Sequence, residues 1–125
     1  MIHILFIALG GAIGAVLRHL ANGAALRMAG PEFPYGTLSV NIIGSFAMGL
    51  FIAWLVTHEP QSANLRAFVS VGLLGAFTTF STFSLDTITL IERGALTQAT
   101  LYIMASVMIA IVALWAGLVL GKAVL

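Results

Sequence analysis

Gly72-Leu73-Leu74-Gly75-Ala76-Phe77-Thr78-Thr79-Phe80-Ser81-Thr82-Phe83-Ser84 is the stretch on which the fold turns. It lies inside a hydrophobic segment running from about Leu65 to Ile91. A simple membrane helix would be Leu, Ile and Val throughout. This one holds two glycines and then a run of hydroxyl and phenylalanine residues. In hydrocarbon every backbone polar group needs a partner, so irregular backbone survives only where protein or a water-filled cavity covers it. One reading is therefore a helix broken at the Gly-rich interruption before Thr78-Thr79. Such a break exposes carbonyls on one half-helix and amides on the other, which together can hold ions. The other reading is a plain helix whose small residues let a neighbour pack closely.

The rest of the composition places that segment in a bilayer. Of 125 residues, 61% are hydrophobic and 7% charged, and the mean hydropathy is +1.13. A soluble domain carries roughly 25% charged residues. Each spanning helix needs about 20 apolar residues, so the length suits four spans with short loops and no soluble domain. The absence of cysteine excludes disulfides and thiolate metal sites. The N-terminus lacks a basic region and a small-residue cleavage site, so it reads as a first span and not a cleaved signal. A net charge of +1 gives no reason to expect a nucleic-acid partner.

Working outward, span one is expected from about Ile2 to Met28. Gly10 with Gly14, and Gly11 with Ala15, form small-xxx-small pairs for close packing. Arg18 either snorkels to the headgroups or lines an aqueous vestibule that attracts anions. Turn residues fill Ala29 to Pro34. Span two, from about Tyr35 to Thr57, carries Thr37, Asn41, Ser45 and Gly49 four apart in one row. A polar row in a membrane helix faces protein or water. Asn41 therefore makes an interhelical hydrogen bond or offers its amide to a permeant species.

His58-Glu59 precedes a proline with no further ligand nearby and reads as a solvated loop. Phe80 and Phe83 share a face of span three, among Thr79, Thr82 and Ser84. Asp86 falls near an aqueous mouth. The Glu92-Arg93-Gly94-Ala95 turn is so short that spans three and four are antiparallel neighbours. Span four, from about Leu96 to Val124, has Tyr102 and Ser106 on one face, with Ala110 next in the row. Trp115 and Lys122 suit interfacial anchoring.

Four spans put both termini and the second loop on one side. Arg66 and Lys122 lie there; Arg18, Arg27 and Arg93 lie toward the other. Orientation follows the Lys/Arg bias, and here that bias is nearly absent. The chain is therefore expected to insert both ways and to pair as an antiparallel dimer.

Gly10-Gly11-Ala12-Ile13-Gly14-Ala15-Val16-Leu17-Arg18, the run Gly36 to Phe46, and Thr78-Thr79-Phe80-Ser81-Thr82-Phe83-Ser84 resemble the signatures of the Fluc fluoride channels, also called the CrcB family. The likeness covers essentially the whole chain. It implies an all-α membrane protein of four transmembrane helices with the third broken. It further implies a dual-topology antiparallel homodimer in the cell's inner membrane, with passive fluoride export through two pores. By motif position it places a structural sodium ion at the dimer centre, on the backbone carbonyls of Gly75 and Thr78. It places the pore phenylalanines at Phe80 and Phe83, the pore asparagine at Asn41, and the polar track at Tyr102 and Ser106. The chain departs from the family pattern at Ala76, where a second glycine is common, at Asp86, where Glu is usual, and at Ala110, which replaces a third track hydroxyl.

Fluoride is small and strongly hydrated, so a pore must replace its lost water hydrogen bonds. Asn41 and the hydroxyls of Thr37, Tyr102 and Ser106 are the candidate donors, and the positive ring edges of Phe80 and Phe83 complete the set. The phenylalanine pair also suits ordinary core packing. Two rival classes stand beside this one. A small multidrug transporter, also a four-span antiparallel dimer, needs an embedded glutamate in span one, and this span has no acidic residue. A non-transporting assembly subunit would lack the row at Thr37 and Asn41. An enzyme is not expected, since His3, His19 and His58 are scattered near span ends with no nucleophile–base–orienter set.

Overall fold

The computed structural model describes residues 2–58 and 63–125. Among them four helical spans are long and apolar enough to cross a membrane. Helix α1 is Ile2–Ala29 and α2 is Tyr35–His58. The third span is composite: α3 (Ala63–Arg66), a π-helical stretch (Ala67–Leu74), α4 (Gly75–Phe77), then α5 (Ser81–Glu92). Helix α6 is Leu96–Val124. The expected spans are all present, with ends within one or two residues. The expectation for residues 59–62 lies outside the described residues. His58 ends α2 with its ring stacked on Trp54 at 5.0 Å between centroids.

Both short turns stop their helices by the same chemistry. Gly30 has φ +79° and its N–H bonds to the Leu26 carbonyl at 2.9 Å, a left-handed cap that only glycine adopts without strain. Gly94 has φ +82°. Its N–H reaches Ile91 O at 3.0 Å while Ala95 N–H reaches Leu90 O at 2.9 Å, the paired bonds of a Schellman motif. The second turn brings α5 back against α6, where Leu90, Ala99 and Tyr102 form a small buried cluster.

Two glycine seams assemble the spans. On α1, a Cβ at Gly10 would stand 2.3 Å from the Phe68 carbonyl oxygen, and one at Gly14 would stand 2.1 Å from that of Leu73. Backbone meets backbone there, so α1 lies directly along residues 67–77. The Gly11 half of the expected small-residue pairing is not used within this chain: a Cβ at Gly11 would meet nothing within 4 Å. The second seam joins α2 to α6. A Cβ at Gly49 would lie 2.2 Å from Leu114 O, and one at Gly117 would lie 2.3 Å from Phe46 O. Close approach of this kind substitutes dispersion contact for the hydrophobic effect, which is absent between helices in lipid.

The third span is broken, but not where the glycines suggested. Gly72 and Gly75 sit in continuous helix, and Gly72 serves the α1 seam instead. The chain leaves helical geometry at Thr78, whose φ and ψ are −87° and 161°, and re-enters it at Ser81. Both sequence readings of the segment thus hold at different residues: close packing at Gly72, a break at 78–80.

Candidate functional site

The break is held open by one side chain from another span. Asn41 donates from Nδ2 to the Thr79 carbonyl at 3.0 Å, and its Oδ1 accepts from the Thr79 N–H at 2.8 Å. The amide thereby satisfies both backbone groups of the irregular residue, as a neighbouring peptide unit would. Thr79 in turn caps α5, its Oγ1 accepting from the Thr82 N–H at 3.2 Å. On the other side of the break Thr78 Oγ1 donates back to Leu74 O at 2.9 Å.

These bonds free two carbonyls. In an unbroken helix the Thr79 N–H would serve Gly75 O and the Thr82 N–H would serve Thr78 O. Both donors are taken, by Asn41 and by Thr79 Oγ1. Gly75 and Thr78, the pair placed at a cation by family resemblance, are therefore among the carbonyls that the break deprives of helical partners, together with those of Ala76 and Phe77. Gly75 is also exposed on this chain. Their chemistry fits a hard monovalent cation: neutral oxygen donors, with no group of three metal-ligating side chains among the described residues.

Beside the break opens a cavity of about 320 Å³, lined by Asn41, Thr79, Phe80, Phe83, Ser106 and Ala110 among others. The irregular residues Thr78, Thr79 and Phe80 line it together with Phe83 of α5. Ser106 Oγ is buried there with no hydrogen-bond partner, and a hydroxyl so placed has a proton to give. Phe80 is 76% exposed. Its ring lies 5.5 Å from that of Phe83, which lies 5.2 Å from that of Tyr102.

Tyr102 is fully buried and donates its one proton to Asp86 Oδ2 at 3.0 Å. Its ring lies behind Phe83 and lines neither that cavity nor the next. Thr37, buried, stands beside the same hydroxyl and lines a second cavity of about 300 Å³ with Asn22, Thr82 and Asp86. Asp86 was expected near a mouth, and this second cavity adjoins the Gly30–Pro34 turn.

The structure thus gathers Asn41, Phe80, Phe83 and Ser106 at one cavity, places Thr37 at the next, and sets Tyr102 between them. Arg18 is half-buried on α1, lines neither cavity and has no hydrogen bond or ion pair among the described residues. Asn22 went unnoticed in the sequence. Its Oδ1 is buried without a partner, and Gly36 gives it room: a Cβ there would stand 2.5 Å from that oxygen. Its position four residues after Arg18, on the same helix face, was the available signal.

A broken membrane helix beside a cavity lined by hydroxyls, a side-chain amide and phenylalanine rings is the architecture of an anion-handling membrane protein. A family model described as "CrcB-like protein, Camphor Resistance (CrcB)" matches residues 5–118. A protein of Mesorhizobium japonicum is 52% identical over 122 residues, covering 98% of each chain. One of Agrobacterium fabrum is 50% identical over 122 residues, again 98% of each. One of Chelativorans sp. is 50% identical over 125 residues, all of both chains. Each of these relatives bears the name fluoride-specific ion channel FluC. This chain belongs to the CrcB family and is a multi-pass membrane protein.

Proposed function

We propose that this chain is a fluoride-selective channel that lets fluoride leave the cytoplasm passively. The observation that carries the reading is the cavity at the break, where Ser106 offers an unpartnered hydroxyl, Asn41 its side-chain amide, and Phe80 and Phe83 their rings. Weak, repeated sites suit conduction, because an ion must leave as well as enter. Asn41 spends one N–H on Thr79 and keeps the other for the anion. No enzyme chemistry is involved. Fluoride efflux from liposomes holding the purified protein tests the reading. Rapid fluoride release with chloride retained is expected; equal release of both, or of neither, overturns it.

The functional unit is an antiparallel dimer of dual-topology chains. Phe80 and Gly75 are exposed in a single chain although they sit at mid-span, and a second copy would cover both. At the dyad the Gly75 and Thr78 carbonyls of two copies would provide four oxygens for a structural sodium ion. With no ligand charge to offset desolvation, a monovalent cation is favoured over a divalent one. An experimental structure of the detergent-extracted protein is expected to show opposed copies and a density peak bound by four carbonyls at sodium-like distance. Parallel copies, or a dyad without that peak, would overturn this arrangement.

A further inference from the structure

We propose that a cleft at one membrane interface binds a phospholipid with an ethanolamine headgroup. The cleft measures about 530 Å³, and its walls include Glu32, Phe33, Tyr35, Gln98, Leu101 and Ala105. It lies on the side of the membrane that carries both short turns. From Gln98 to Ala105 the α6 wall descends about 10 Å at 1.5 Å per residue, from headgroup depth into the acyl region. The two ends differ in chemistry accordingly: charged, amide and aromatic groups at the turn end, the aliphatic carbons of Leu101 and Ala105 below.

The polar end is built for a zwitterion. Arg93 donates through one guanidinium nitrogen to the Glu32 carbonyl and, at 3.5 Å, to Gln98 Oε1. That ties the guanidinium, which lines a small adjoining cavity with Glu32, to two residues of the cleft wall, with other N–H donors to spare. Gln98 turns its oxygen to Arg93, so its amide N–H groups remain for an acceptor. Arg93 and Gln98 together suit a phosphate. The Glu32 carboxylate is exposed and forms no ion pair among the described residues. It suits an ammonium that can donate hydrogen bonds, which ethanolamine has and choline lacks. An anionic headgroup would meet Glu32 with like charge.

Gln98 at the polar end of the cleft and Val107 in the cavity at the break are nine residues apart, about 180° around α6 at 100° per residue. A second copy covering that cavity therefore leaves the headgroup end open, while its edge at Ile111 comes within about 80° of Leu101. The inference does not depend on which ion the protein conducts.

Native mass spectrometry of the detergent-extracted protein tests it, with ethanolamine, choline and glycerol phospholipids of matched acyl chains. The ethanolamine lipid is expected to stay bound at least fivefold more than either other. Glu32→Gln, a surface change, should abolish its advantage over choline lipid, and Leu101→Trp, which fills the apolar end, should lower retention of all three. Equal retention of the three lipids by the parent, preference for the glycerol lipid, or an unchanged preference in Glu32→Gln would each overturn the site.

Discussion

Asn41→Asp is expected to lower fluoride efflux about 100-fold or more near neutral pH. The substitution keeps the acceptor that faces the Thr79 N–H, since a carboxylate oxygen replaces Oδ1. It removes the donor to the Thr79 carbonyl, 3.0 Å away in the parent, and sets lone pairs against lone pairs there. It also puts a full negative charge in the cavity wall. At about 5 Å and an effective dielectric near 20, that charge opposes fluoride by about 3 kcal/mol, worth some two orders of magnitude in rate. Partial recovery in acid is expected, because a neutral carboxylic acid donates to the Thr79 carbonyl again. Size-exclusion profile and efflux measured on one preparation decide the matter. An intact dimer with normal efflux removes Asn41 from conduction. A dissociated one makes it structural only.

Phe80→Ile and Phe83→Ile are each expected to cut fluoride efflux at least tenfold while the protein elutes as the parent does. Isoleucine keeps the site apolar and removes the ring edge, which carries the positive end of the aromatic quadrupole. Phe80 is so exposed in one chain that its loss removes little internal packing. Phe83 is the stricter test, because its ring also touches Tyr102 and Phe80. If both variants conduct like the parent, the rings are packing and the anion path runs elsewhere.

The four spans were legible because a hydrocarbon core imposes length and apolarity on each of them directly. Their turns were legible for a local reason too: Gly30 and Gly94 stop helices through their own backbone conformation. The break was legible as an event and, at the Thr78-Thr79 junction, nearly in its place, but not in its cause. Glycine was the visible suspect, yet the break is made by Asn41 from 38 residues away, and no window of local sequence contains both partners. The Asn41 row was correctly marked as facing protein or a cavity. That the amide binds backbone required the fold. The Gly49–Gly117 seam escaped because small residues on two distant helices give no sign of facing each other. Tyr102 was placed on the right face, but the direction of its proton depended on Asp86, one helix away.

The bond between Asn41 and Thr79 also orders the protein's assembly. A third span inserted alone would present the Thr79 N–H and carbonyl to hydrocarbon, at several kcal/mol for each unmet group. Their partner is encoded upstream, in the span that leaves the ribosome first. When the break reaches the bilayer, the amide that completes it is already there. The two groups of Thr79 are thus satisfied from within the chain, ahead of any contact that the neighbouring carbonyls make.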